Sequence, residues 1–269
     1  MTPALQGTPW QVPDWPAPAG VRALFTTRGT SAADGASAAP RQHFNLGDHV
    51  GDDAAAVAAN RQRLQQGMAG ARPVFMQQVH GRDVLTLRPG TADGATADAA
   101  ATQVPGLACT VMVADCLPVL LAHRMGSAVA AAHAGWRGLA GGVLEEAVRA
   151  LRALAPTDGD DDGDVLAWLG PCIGPRAFEV GPEVREAFTA THAAAAACFA
   201  PGPGGKYLAD LPALARLRLA ALGVRGVHGN DGSDAWCTVA QPTRWFSYRR
   251  DQARLGATGR MAACVWLEA

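Results

Sequence analysis

Residues 107–123, LACTVMVADCLPVLLAH, constrain the fold of this chain more than any other segment. The stretch is apolar almost throughout, yet Asp115 and Pro118 interrupt it, and it falls short of the roughly 20 apolar residues a membrane-spanning helix needs. Its β-branched character predicts a pair of core strands instead, one over residues 108–115 closed by Cys116 and one over 118–123. Strands buried on both faces need covering layers. The 269 residues, 49% hydrophobic and 17% charged, supply enough apolar side chains for one large domain or two small ones and exclude a disordered chain.

Charge narrows the partners. With 23 Lys+Arg against 24 Asp+Glu the formal net charge is -1, so no basic face points to nucleic acid or anionic lipid, and a small molecule is the expected partner. The N-terminal MTPALQGTPWQVPDWP lacks a basic segment ahead of an apolar one, which makes the cytoplasm the expected address. In that compartment the six cysteines (Cys109, Cys116, Cys172, Cys198, Cys237, Cys264) are expected as thiols serving as core filler, nucleophile or ligand.

The remaining pattern predicts a layered α/β domain with a mixed sheet flanked by helices. A wrapping segment and first strand occupy residues 1–25, and the main domain spans 26–269. Asp52 or Asp53 caps a helix running to about Met68. Strands over 74–79 and 83–88 flank His80 and Gly81, and another over 127–133 ends at His133. GWRG then opens a helix over 139–154, where Leu139, Val143, Leu144, Ala147, Val148, Leu151 and Leu154 recur at helical spacing. Further strands are expected at 165–170, 243–249 and 261–268, and further helices at 182–199 and 210–222. The acidic run 158–164 resembles the start of a calcium loop, but Leu169 stands at the twelfth place instead of glutamate, so a solvated turn is expected.

On this reading His80, Cys116 and His133 each follow a strand, and strand ends in open α/β sheets are where ligands gather. Two imidazoles and a thiolate suit tetrahedral zinc and leave a fourth position open. The same residues also fit two structural histidines and a buried thiol, because no local metal-binding spacing links them. Residue pattern alone leaves both readings open.

Six motifs in order carry a resemblance: NLGDHVGDD and NR within 45–61, QQVHG (77–81), ADCLPVLL (114–121), AAHAGWRG (131–138), LGPCIGP (169–175) and FSYRRD (246–251). With them the chain resembles the purine nucleoside phosphorylase/laccase-domain family, also called polyphenol oxidase or peptidoglycan editing factor. The resemblance implies a fold similar to deamidating-toxin-like cysteine hydrolases, with zinc held by the residues corresponding to His80, Cys116 and His133. It also implies phosphorolysis of adenosine, inosine and methylthioadenosine, with adenosine deaminase activity in the same pocket. Phosphate suits a bidentate arginine, and the matched motifs offer Arg61, Arg137, Arg249 and Arg250. Arg61 is the preferred contact and, with Cys116, the expected catalytic residue; Arg137 gains from a helix N-terminus. His43 and Asn45 are candidate ribose or base contacts, and Asp98 a candidate for orienting a ligand.

Copper oxidation of phenols is disfavoured, because none of the seven histidines forms a His-x-His pair, although an N/S site can take up copper in vitro. Two hydrolase readings stay open. Cys116 with His133 can act as a thiolate–imidazolium pair, and GPCIG places Cys172 at the nucleophile of a strand-turn-helix elbow. Editing of peptidoglycan precursors is the alternative reaction. A non-enzymatic scaffold would rest on Trp10, Trp15 and the acidic turn alone.

Overall fold

A computed structural model describes residues 9–155 and 164–269, so most of the acidic run 158–164 lies outside the described residues. In chain order the elements begin β1 (Val21–Phe25), α1 (Ala54–Gly67), β2 (Arg72–Val74), β3 (Val84–Thr86), β4 (Ala99–Thr102), β5 (Leu107–Val113), β6 (Leu117–His123) and β7 (Val129–Ala134). Helices α2 (Trp136–Gly141) and α3 (Val143–Leu154) follow, then β8 (Val165–Leu169), β9 (Glu179–Val180) and α4 (Pro182–Thr189). The chain ends with β10 (Phe199–Pro201), β11 (Tyr207–Ala209), α5 (Leu211–Ala221), β12 (Gly226–Gly229), α6 (Tyr248–Leu255) and β13 (Met261–Leu267).

The expected core strands form, but in two different sheets. One sheet runs β1-β13-β5-β2 and the other β12-β8-β6-β7-β4-β3, while β10-β11-β9 makes a small third sheet. Both large sheets are mixed: β5 pairs antiparallel with β13 and parallel with β2, and β8 pairs antiparallel with β6 and parallel with β12.

Period-2 alternation makes the layers. Along β5, Cys109, Val111 and Val113 face the space between the large sheets, while Ala108 and Met112 face the outer layer with Phe44, Leu46, Leu64 and Met68. Along β6, Leu120 and Ala122 enter the inter-sheet core, and Leu117, Val119 and Leu121 meet the helices on the far side. There α3 lays down Val143, Leu144, Ala147, Val148 and Leu151, with Glu145 and Glu146 in its first turn complementing the helix dipole. At about 25 cal/mol per Å² of apolar surface, this double-sided burial is the main stabilisation of the strands.

Several expectations are corrected. The helix expected over 139–154 is broken by Gly142, whose φ of 100° ends α2 and starts α3. The helix expected over 182–199 stops at Thr189, and residues 193–198 form a 3-10 turn that feeds β10 into its pairing with β11. Residues 243–249 make no strand: Trp245 and Phe246 are fully buried without ladder bonds, and Ser247 caps α6 by accepting from Arg250 N at 3.1 Å. Strand β4, between the strands expected over 83–88 and 108–115, is four buried residues, AAAT; alanine's low strand propensity hides it. The helix at residue 54 starts as expected, on Asp53, which accepts from Ala56 N at 2.9 Å. Trp10 packs on Phe44 with ring centroids 5.4 Å apart, and Trp15 packs on the inter-sheet core, so neither is a free surface ring.

Candidate metal and substrate site

The chain passes between the large sheets at one edge of their seam, and the chemistry collects where it crosses. Residues 114–116 carry it from β5 to β6, and the loop holding His80 carries it from β2 to β3. Each crossing has one non-glycine residue at positive φ, Asp115 at 90° and His80 at 61°. Such conformations cost of order 1–3 kcal/mol and persist where surroundings over-determine them.

The surroundings here do. Asp115 accepts from Thr238 Oγ1 at 2.5 Å and from Arg249 N at 2.6 Å, tying the crossing to α6. Gln78 mimics a strand residue with its side chain, donating to Met112 O at 2.8 Å and accepting from Met112 N at 2.7 Å. Asp98 accepts from the backbone N–H groups of Val79, His80 and Gly81 at 3.1, 2.9 and 2.7 Å. Small residues complete the fit: a Cβ on Gly135 would lie 2.7 Å from His80 Cδ2 and 3.0 Å from Cys116 Sγ, and one on Gly138 would lie 2.7 Å from Gly81 O.

These constraints bring His80, Cys116 and His133 together, with one donor atom of each within 4.8 Å of the others. His80 Nε2 stands 3.6 Å from Cys116 Sγ, close to the roughly 3.5 Å that tetrahedral Zn–N and Zn–S bonds would set. His133 lies inside β7 and not beyond it, on the inter-sheet face. Its Nδ1 is 2.8 Å from Asp98 Oδ1, which fixes the tautomer and leaves Nε2 for the cluster, the carboxylate–histidine arrangement common around metals. The donor set therefore fits a zinc ion with one corner open.

Electrostatics single out the thiol. Burial works against a Cys116 thiolate, but the charge of His133 and hydrogen bonds from His133 and His80 outweigh it and bring the pKa down to about 6. Burial likewise disfavours imidazolium at His133, yet Cys116 and Asp98 raise it to about 9. Asp98 is held below the usual carboxylate range: burial opposes this, and the bonds from His133 and Gly81 prevail.

A cavity of about 340 Å³ opens beside the cluster. Besides the three donors it is lined by His49, Met112, Asp115, Phe178, Tyr248, Arg249 and Arg260, among others. Of the other residues expected to contact substrate, Arg249 lines it and Arg61, Arg137, Arg250, His43 and Asn45 do not. Arg61 donates to Leu46 O at 3.0 Å, pairs with Asp48 at 3.2 Å and lies over the Phe75 ring. Arg137 is exposed over Trp136, and Arg250 is bound to Asp251 and to the carbonyls of Thr238, Val239 and Trp245. The Asn45 side chain organises its loop through Gly47, Asp52 and Arg260 N, and His43 offers its carbonyl to Ser37 and Asn60. Cys172 is fully buried, bonded to Asn230 Nδ2 at 3.4 Å, with its thiol pushed up by burial, so the elbow reading fails. Arg260 and Tyr248 escaped the sequence reading; the available signal was their position at the last crossing between the sheets, just before β13 and at the start of α6.

The multi-copper polyphenol oxidoreductase laccase family model matches residues 22–268. The chain belongs to this family. A purine nucleoside phosphorylase of Pseudomonas aeruginosa is 49% identical over 260 residues, covering 96% of this chain and 98% of the relative. Purine nucleoside phosphorylase YfiH of Escherichia coli is 49% identical over 257 residues, covering 95% and 98%. Among solved structures, a Neisseria meningitidis protein at 45% identity superposes with a TM-score of 0.84, covering 97% of this chain and 99% of that one. YlmD of Geobacillus stearothermophilus, at 30% identity, gives 0.82 over 93% of each chain. Membership in this laccase family fixes the fold and supports an enzyme, with metal binding compatible with the donor cluster. Among the described residues no helix is long and apolar enough to cross a membrane.

Proposed function

We propose that the chain is a cytoplasmic, zinc-dependent purine nucleoside phosphorylase acting on adenosine, inosine and methylthioadenosine, with adenosine deaminase activity in the same cavity. The observation that carries this reading is the convergence of His80, Cys116 and His133 on one wall of a nucleoside-sized cavity. The relatives named purine nucleoside phosphorylase support it. A zinc ion held there would supply Lewis acidity at its open corner. Asp98 holds His133 in one tautomer and the His80 loop in place, so the donor geometry is preorganised. Phe178 and Tyr248 line the cavity with aromatic side chains against which a purine can pack. In phosphorolysis an oxygen of the hydrogen phosphate dianion bonds to ribose C1′ as the C1′–N9 bond breaks. The purine leaves with the electron pair, and the dianion's proton ends on it. In deamination a water oxygen bonds to C6, one water proton passes to the exocyclic amino group, the bond from C6 to that nitrogen breaks, and ammonia leaves while the other proton stays on the inosine formed.

The test is chromatography of adenosine and inosine incubated with the zinc-loaded protein, with and without phosphate. Free base and ribose 1-phosphate are expected only with phosphate, and inosine from adenosine without it. No nucleoside turnover, with an amino acid released from a muramyl peptide precursor, would replace this reading by the Cys116–His133 hydrolase. Phenol oxidation restored by copper and abolished by zinc would replace it by the oxidase.

A further inference from the structure

The phosphorolytic reading requires a cation that meets a tetrahedral oxyanion inside the cavity, and the arginines singled out by motif are engaged elsewhere. Arg249 does line the cavity, but its guanidinium reaches the carbonyls of Ala177 at 3.4 Å and Glu179 at 3.1 Å and lies over Phe178. Arg260 is different. Its backbone N–H is anchored on Asn45 Oδ1 at 2.8 Å, and its stem is packed so tightly that a Cβ on Gly47 would come 2.7 Å from Arg260 Cγ. Its guanidinium makes a single hydrogen bond among the described residues, Nη1 to Gly259 O at 3.1 Å, with no carboxylate at ion-pair distance. The charges of Cys116 and Asp115 are felt at Arg260, but neither is bonded to its guanidinium: the Asp115 oxygens accept from Thr238 and from the Arg249 N–H.

A fixed stem with an unpaired planar fork is what bidentate oxyanion binding asks for. His49 lines the same cavity, near enough that the Arg260 charge, after burial, disfavours its protonation. The His49 Nδ1 stands 3.3 Å from Asp48 Oδ1, so neutral His49 donates there and keeps Nε2 as an acceptor, able to take the hydrogen bond of the phosphate dianion's own hydroxyl without adding charge.

We propose that Arg260, assisted by His49, binds the inorganic phosphate dianion that attacks the nucleoside. This inference rests on the phosphorolytic reading and gives its second substrate a site. Arg260 immediately precedes β13, an inner strand of the four-stranded sheet, and belongs to none of the six motifs.

The test compares zinc-loaded wild type with Arg260→Gln, Arg260→Lys and Arg61→Gln. Phosphate binding is read by titration calorimetry with inorganic phosphate, and KM is measured for phosphate and for inosine separately. Arg260→Gln is expected to weaken phosphate binding and raise its KM by about tenfold or more, with inosine KM within about twofold and zinc content unchanged. Arg260→Lys should fall between, keeping charge without the fork. Unchanged phosphate affinity in folded, zinc-loaded Arg260→Gln overturns the proposal, as does a loss seen with Arg61→Gln instead. Arg260-dependent binding of a purine nucleoside 5′-monophosphate with Arg260-independent binding of free phosphate also overturns it. If wild type binds phosphate through Arg260 but releases no base, the phosphorolytic reading fails and the anion site stands. If phosphate-dependent base release survives Arg260→Gln with phosphate affinity intact, the reverse holds.

Discussion

The seam edge and the interior of the β1-β13-β5-β2 sheet both contain cysteine, and they treat it in opposite ways. In the sheet, Cys109 and Cys264 are fully buried among apolar neighbours, and burial pushes both thiols up, Cys264 to about 12. At the seam, burial acts in the same direction on Cys116, yet two imidazoles reverse it and the pKa falls to about 6. Chain geometry makes the difference. A residue inside a ladder meets its strand neighbours, whereas a residue at a crossing meets side chains from both sheets. The seam can therefore assemble donors distant in sequence, at the cost of positive φ at His80 and Asp115.

The sharpest way to break this contrast is thiol alkylation of metal-free protein. Below pH about 6 Cys116 is protonated, and as pH rises through that value the thiolate forms and the rate should climb to a plateau. Between about 6 and 9 the thiolate faces a protonated His133. Iodoacetamide mapped by mass spectrometry at pH 7 should label Cys116 faster than Cys109 or Cys264 by about 100-fold or more. A midpoint near the ordinary thiol range would remove the distinction between the two regions.

Asp98→Asn gives the next largest effect. It keeps size but takes the carboxylate from His133 Nδ1 and from the His80 loop, and metal affinity should drop roughly 10- to 100-fold in a competitive chelator titration. The mildest effect on the site comes from the interior. Leu120→Ala, in the fully buried inter-sheet core, should cost about 2–5 kcal/mol in denaturant unfolding while leaving metal affinity within about twofold. A comparable loss of affinity there would show that the seam is not a separate unit.

Much of this was legible in the sequence, for reasons that differ by element. Strands β5, β6 and β13 announce themselves because burial on both faces demands continuous apolar residues. The grouping of His80, Cys116 and His133 was readable because their side-chain chemistry is specific and each stands next to an apolar strand run. Strand β4 was hidden because alanine carries almost no strand preference, and the Gly142 break because helical spacing continues across it. The arginines were hard to read for a different reason. Motif membership says that a residue matters, yet Arg61 and Arg250 serve the loops that frame the cavity, while Arg260, unmarked by any motif, faces it. Sequence spacing does not record where a fork of five donors finds acceptors.

The most direct measurement is zinc stoichiometry by elemental analysis, paired with X-ray absorption at the zinc edge, for wild type and Cys116→Ser. The account predicts one tightly held zinc per wild-type chain with a nitrogen- and sulfur-containing shell, at about 2.0–2.1 Å to nitrogen and 2.3 Å to sulfur. In Cys116→Ser the sulfur should vanish and the zinc content fall. A wild-type shell without sulfur, or full retention of metal with an unaltered shell in Cys116→Ser, would contradict it.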